Sequence, residues 1–105
     1  VLAVIPDKTR DDNTHLLIPL AAEALSKQQV SQFDALIAQG THPPMTNNEK
    51  RAKIGATDEN WITGLGEVFD HCWNDPAELI TIGEISTEKV RELTEGLLNQ
   101  PIKLT

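Results

Sequence analysis

Long apolar runs, paired cysteines and an excess of positive charge are all missing from this sequence. No apolar stretch approaches the roughly 20 residues that a transmembrane helix needs. A single cysteine, Cys72, excludes an internal disulfide scaffold and favours a reducing, cytoplasmic setting. The 16 acidic and 9 basic residues give a net charge of −7. That charge repels phosphate groups, so we expect neither nucleic-acid nor membrane-surface partners.

Several catalytic signatures are absent as well. The chain has no Gly-x-Gly-x-x-Gly, Walker A or Gly-x-Ser-x-Gly segment, so the sequence does not support a dinucleotide-binding, P-loop or serine-hydrolase function. Zinc-type spacings such as Cys-x-x-Cys are missing too. We expect no metal ligands here, and we interpret His71 and Cys72 as a hydrogen-bonded histidine and a small buried thiol.

What remains is ordinary globular composition, with 39% apolar and 24% charged residues among 105, enough for one core. The chain opens on an apolar run, Val1–Ile5, and closes on an alternating segment, Ile102–Thr105. Natural termini usually fray in polar residues. We therefore expect residues 1–105 to be a domain fragment of a longer polypeptide.

Strand-like and helix-like segments alternate along the chain. Strands are predicted at residues 2–5, 33–38, 68–70, 79–82 and 102–105. Helices are predicted from Asn13 or Thr14, from the Thr46 capping box to Ile54, from Asp58 through Ile62, and from Thr87 to Leu98. The alternation predicts an α/β fold with a mostly parallel sheet and helices on both faces, a three-layer Rossmann-like arrangement that is incomplete here.

The first predicted helix has a helical apolar pattern, but one residue argues against an uninterrupted helix. Pro19 argues for a late start or a kink, since an interior proline costs ~3 kcal/mol. The residues predicted to face the core recur at spacings of three and four: Leu16, Leu17, Leu20, Ala21, Ala24 and Leu25.

The loop after the first strand carries polar groups suited to an anionic ligand. Ligands of open α/β sheets lie beyond the carboxyl ends of the parallel strands. Arg10 is a planar donor for carboxylate or phosphate, and Thr9 can donate beside it, with Asp7 and Lys8 in the same loop. A solvated turn with local ion pairs is the alternative reading.

The loop after the second strand holds His42 between Gly40 and the stiff pair Pro43-Pro44. Histidine titrates near neutrality, so His42 is a candidate proton carrier, and an ordinary surface histidine is the alternative. His15 falls at a helix start and is interpreted as a surface or capping residue.

Together these loops resemble a known family. Residues 5–10, Ile-Pro-Asp-Lys-Thr-Arg, resemble the Asp-x-Thr-Arg segment near the start of nickel-dependent lactate racemases. Residues 40–46, Gly-Thr-His-Pro-Pro-Met-Thr, resemble that family's Gly-x-His-Arg-x-Met-Thr segment. Asp70-His71 fits the same order, and the resemblance spans essentially the whole chain.

The resemblance implies the amino-terminal catalytic α/β domain of an isomerase that interconverts D- and L-lactate or epimerises a related 2-hydroxy acid. Its nickel-pincer nucleotide cofactor takes a hydride from the substrate and returns it to the opposite face. By position, Asp7, Lys8, Thr9 and Arg10 would bind the cofactor and His42 would exchange the hydroxyl proton.

The sequence departs from the family pattern at Pro43, where arginine commonly follows the catalytic histidine. The family's second catalytic histidine, cofactor-bound lysine and nickel-ligating histidine should lie beyond Thr105, so the isolated fragment should be inactive. Its partners would be a small 2-hydroxy acid and the rest of its own chain. The alternative is a non-catalytic α/β module that binds a small anionic or phosphorylated ligand.

Overall fold

The computed structural model describes residues 1–57 and 59–105, which divide into two units, Val1–His71 and Cys72–Thr105. The elements described in the first unit are β1 (Leu2–Ile5), α1 (Thr14–Lys27), β2 (Asp34–Ile37), α2 (Asn47–Ile54) and β3 (Val68–Asp70). Those described in the second unit are β4 (Gly83–Ile85), α3 (Thr87–Leu93) and β5 (Ile102–Leu104).

The first unit is built on a parallel sheet with strand order β1-β2-β3. Ile5 lies opposite Ile37, and Ile37 lies opposite Asp70. Each strand follows its predecessor through a crossover that contains one helix, as parallel pairing requires. In the crossover between β2 and β3, a longer loop follows α2. The predicted α/β class with a mostly parallel sheet is confirmed.

Both helices of this unit cover the same face of the sheet. The two crossovers step in the same direction, and right-handed crossovers of that kind place their helices on one side. On the other side, Leu2, Val4 and Phe69 are exposed. The helices predicted for the second face therefore do not come from α1 or α2. The core under the covered face draws on every element of the unit: Ile5, Ile18, Ala22, Ala35, Ile37, Ile54 and Val68.

The inward face of α1 differs from the prediction. Its buried residues are Thr14, Ile18 and Ala22. Of the residues predicted to face the core, Ala21 and Leu25 are partly buried against it, whereas Leu16, Leu17, Leu20 and Ala24 are exposed. The helix is apolar around much of its circumference, so the sequence pattern fits two possible buried faces. Packing against the sheet selects the face that carries the small Ala22. In residues 1–57 and 59–105, neither this 14-residue helix nor any other is long and apolar enough to cross a membrane.

Pro19 lies inside α1, which begins at Thr14 rather than late. Proline has no N–H, so the carbonyl of His15, one turn earlier, loses its usual helical donor. Gly55, the left-handed C-cap of α2 with a φ of +80°, approaches this carbonyl so closely that a Cβ on Gly55 would lie 2.2 Å from the His15 oxygen. The two helices thus meet backbone to backbone.

We expect Gly55→Ala to destabilise the intact protein by at least about 2 kcal/mol, because a left-handed alanine costs roughly 1–2 kcal/mol and the collision with His15 adds to it. Urea unfolding measures the loss. Gly40→Ala is the matched control, since Gly40 has a φ of +58° and open space around its Cβ position. Equal losses in both variants would show that the contact with His15 contributes nothing.

The second helix begins with the predicted capping box. The Thr46 hydroxyl accepts from the Glu49 N–H at 3.3 Å, and Glu49 Oε2 accepts from the Thr46 N–H at 2.8 Å. This reciprocal cap fixes where the loop after β2 ends and α2 starts.

Two other predicted elements are wrong. Residues 79–82 are not a strand; the strand is Gly83–Ile85, which pairs antiparallel with Ile102–Leu104. Ile80 and Ile82 are exposed, and within 79–82 the Ile82 N–H donates to the Leu104 carbonyl at 2.8 Å, next to the pairing that begins at Gly83. The helix from Thr87 ends at Leu93. The predicted cap Asp58 lies outside the described residues, and residues 59–62 are not helical.

Candidate functional site

A cleft of about 290 Å³ opens where the chain leaves β1 and β2. Because Ile5 and Ile37 are paired in parallel register, the loops that follow emerge at the same edge of the sheet. This cleft brings Arg10 and His42 together, 32 residues apart in sequence. Its lining consists of the two strand exits: Pro6, Asp7, Thr9, Arg10, Ala38, Gln39, Gly40, Thr41 and His42.

Asp7 and His42 form the central contact of the cleft. Asp7 Oδ2 lies 2.5 Å from His42 Nδ1. The other carboxylate oxygen, Oδ1, accepts from the Thr9 N–H at 3.0 Å and from the Thr9 hydroxyl at 2.6 Å. The Asp7 side chain is 6% exposed and that of His42 is 53% exposed. A buried carboxylate therefore holds one nitrogen of an accessible imidazole and leaves Nε2 for other partners.

These donors keep Asp7 ionised. The Thr9 hydroxyl, and next the His42 ring, lower the pKa of Asp7 from its ordinary 3.8 to about 2, against an opposing effect of burial. At neutral pH the cleft thus contains a fixed negative charge directed at His42 Nδ1. A carboxylate in that position favours the tautomer with a proton on Nδ1.

Arg10 contributes the positive charge of the cleft. In the part of the chain that the structure describes, its guanidinium pairs with no protein group, so it is available to an anion. Lys53 fixes the backbone of this loop, because its Nζ donates to the Arg10 carbonyl at 2.9 Å and to Asp12 Oδ2 at 2.7 Å. The loop that presents Arg10 is therefore anchored to α2.

Lys8 is placed differently from its neighbours. It does not line the cleft, and its Nζ pairs instead with Glu49 Oε1 at 2.5 Å. Lys8, followed by the Thr46 N–H, lowers the pKa of Glu49 from 4.5 to about 2. The structure thus gives Lys8 a contact with the capping box of α2.

Gln39 is a cleft residue that sequence reasoning missed. The residue is 3% exposed, and its Oε1 is buried without a hydrogen-bond donor among the described residues. A signal was present: Asp7 and Gln39 each lie two residues beyond the paired Ile5 and Ile37, so both continue the inward alternation of their strands. Polar residues at inward positions past a strand end mark the floor of the cleft.

The remaining histidines and the cysteine lie outside this cleft. The His71 N–H donates to the Ile37 carbonyl at 3.1 Å and extends the β2–β3 ladder. His15 is exposed on α1, and Cys72 is half-buried at the start of the second unit. Over residues 1–57 and 59–105, no group of three or more His, Cys, Asp or Glu side chains is arranged to hold a metal ion.

Comparison with known families assigns the chain. It matches the lactate racemase N-terminal domain model over residues 1–98, which include both cleft loops. The chain belongs to the lactate racemase N-terminal domain family. The resemblance drawn from the two loop motifs is thereby confirmed.

A solved structure agrees with the fold of this lactate racemase N-terminal domain. A crystal structure of a protein from Thermotoga maritima, determined by a structural genomics consortium, superposes with a TM-score of 0.82 at 30% sequence identity. The match covers 97% of this chain and 24% of the Thermotoga chain, so this chain spans about a quarter of that protein. No curated protein sequence matches significantly.

Proposed function

We propose that this domain is the amino-terminal part of a longer, cytoplasmic racemase or epimerase that uses a nickel-pincer nucleotide to invert lactate or a related 2-hydroxy acid. Family membership supports the reaction class. The observation that carries the proposal for these residues is that Arg10 and His42 line one cleft, with His42 held by the buried Asp7. An anion and a transferable proton can meet there.

The donors of the cleft fit the anionic part of the proposed cofactor. Arg10 offers a guanidinium with no protein partner in the described chain, whereas the N–H and hydroxyl of Thr9 already donate to Asp7 Oδ1. Arg10 would hold the phosphate or ring carboxylate through charge-assisted hydrogen bonds. No metal-ligating cluster occurs among the described residues, so the nickel ligands would come from the rest of the chain. When bound, the cofactor supplies hydride acceptance and return.

His42 would handle the proton of the substrate hydroxyl. With Nδ1–H donating to Asp7, Nε2 carries the lone pair and can accept that proton. The ionised Asp7 then stabilises the imidazolium, and in the reverse direction of the reaction the same Nε2 gives a proton to the substrate oxygen. A second histidine in the rest of the chain would act on the opposite face of the substrate.

A second candidate function uses the same cleft without chemistry: a module that binds a small phosphorylated ligand. The unpaired guanidinium of Arg10 favours it equally. The full-length protein, purified with its cofactor, separates the two. We expect nickel and a phosphorylated pyridine derivative by mass spectrometry, and conversion of D-lactate into L-lactate on chiral chromatography. Binding of nicotinic acid mononucleotide with neither nickel nor turnover would favour the binding module.

Arg10→Ala should weaken cofactor retention by the full-length protein. A hydrogen bond to a charged group contributes roughly 1.5–3 kcal/mol, equivalent to about a 10- to 150-fold loss of affinity. Cofactor and nickel per protein chain, measured after dialysis, report the change. Lys27→Ala removes the same charge from an exposed pair with Glu23 outside the cleft and should retain cofactor. Equal retention in both variants would contradict the role of Arg10.

A further inference from the structure

Gln39 has an amide that the described protein does not use. The residue is 3% exposed, its Oε1 is buried without a donor among the described residues, and none of those residues accepts from its Nε2. Buried polar groups are nearly always hydrogen-bonded, and one left unpaired reduces the stability of the folded protein. Methionine would fill a similar volume without that penalty. The amide therefore calls for a partner that is not in the described chain.

The position of Gln39 indicates where that partner lies. Gln39 lines the same cleft as Arg10 and His42 and occupies, past β2, the place that Asp7 occupies past β1. The Asp7 side chain holds His42, whereas the Gln39 side chain bonds to no described residue, although its backbone carbonyl accepts from the His42 N–H at 3.1 Å. Since rotation about its last side-chain bond exchanges the two ends of the amide, the N–H group can be turned towards the cleft without a change in shape.

We propose that Gln39 is a substrate-binding residue of this cleft, whose Nε2 donates a hydrogen bond to an oxygen of the small 2-hydroxy acid. The class of ligand rests on the proposed function. An amide donor in the cleft would give the substrate a directional contact while Arg10 holds the cofactor. Gln39 would therefore set affinity for the oxygen-bearing end of the substrate and leave proton transfer to His42.

The test uses Gln39→Met and Gln39→Glu in the full-length protein with its cofactor. We expect Gln39→Met to raise KM for D-lactate about tenfold while kcat changes less than threefold, because a contact made equally in ground and transition states is lost. Gln39→Glu, which replaces the donor with a negative charge, should raise KM further. The thermal midpoint of ligand-free Gln39→Met should equal or exceed that of the parent, since an unpaired buried amide has been removed. Gln28→Met, exposed beyond α1, is the control.

Each other result overturns the inference in a recognisable way. A lower thermal midpoint of ligand-free Gln39→Met would show that the amide is bonded to the rest of the chain. An unchanged KM beside normal turnover would show that Gln39 does not touch the substrate, while the proposed reaction survives. Absence of both D-lactate turnover and calorimetric D-lactate binding in the parent protein would refute the proposed function, and the substrate assignment of Gln39 with it.

Discussion

Replacing His42 with glutamine should slow the proposed lactate racemisation by the full-length protein by roughly 10²–10⁴-fold, the usual contribution of a general acid–base group. Glutamine can still donate a hydrogen bond to Asp7, but it cannot accept and return a proton near neutral pH. The His42 side chain is 53% exposed, so its replacement leaves the core intact. Initial rates in both directions, with circular dichroism as a check on folding, measure the effect.

His15→Gln is the matched control for this change. His15 is exposed on α1 and lies outside the cleft, so the same substitution there should preserve the rate. Full activity of the His42→Gln variant would end the assignment of His42 as a proton carrier. Loss of cofactor from that variant, with the rate per bound cofactor unchanged, would contradict it too.

Asp7→Asn should lower the rate by at least about 100-fold although it changes a single atom. Thr9 directs two donors at Oδ1, so the amide oxygen of the variant remains there. The amide NH₂ then faces His42 Nδ1 and forces that nitrogen to accept, which moves the ring proton to Nε2. The corresponding change in serine-protease triads inverts the histidine tautomer and lowers kcat about 10⁴-fold.

Long-range ¹H–¹⁵N spectra of His42 in the full-length protein report the tautomer directly. They should show the proton on Nδ1 in the parent and on Nε2 in Asp7→Asn. Asp12→Asn is a close control: hydrogen bonds from Lys53 and Thr14 lower the pKa of Asp12 from 3.8 to about 2, as for Asp7, but Asp12 lies outside the cleft. It should lose some stability and keep its rate. An unchanged tautomer in Asp7→Asn would defeat the explanation.

The parallel sheet was predictable because its strands are short apolar runs bounded by loop residues, and such runs leave few alternative positions for the strands. The inward face of α1 was not, because Leu16 and Leu20 satisfy helical periodicity as well as Ile18 does. Only the packing of Ala22 against the sheet separates the two faces. The strand Gly83–Ile85 was missed because an antiparallel partner near the end of the chain decides its position.

The cleft could be located from sequence, since parallel strands of one sheet deliver their following loops to the same edge. That rule placed Arg10 and His42 together. It could not separate Lys8 from its neighbours, because the pairing with Glu49 depends on where α2 starts. The contact between Asp7 and His42 joins residues 35 positions apart, and its existence follows from the register of β1 and β2.

That register has a consequence for insertions and deletions. Asp7 points inward because it lies an even number of residues beyond Ile5, so one residue added or removed between them would turn its carboxylate to the opposite face of the sheet. Changes in length after Arg10 would leave the orientation of Asp7 untouched. Length variation in this loop should therefore concentrate in residues 11–13, and the spacing from Ile5 to Asp7 should stay fixed.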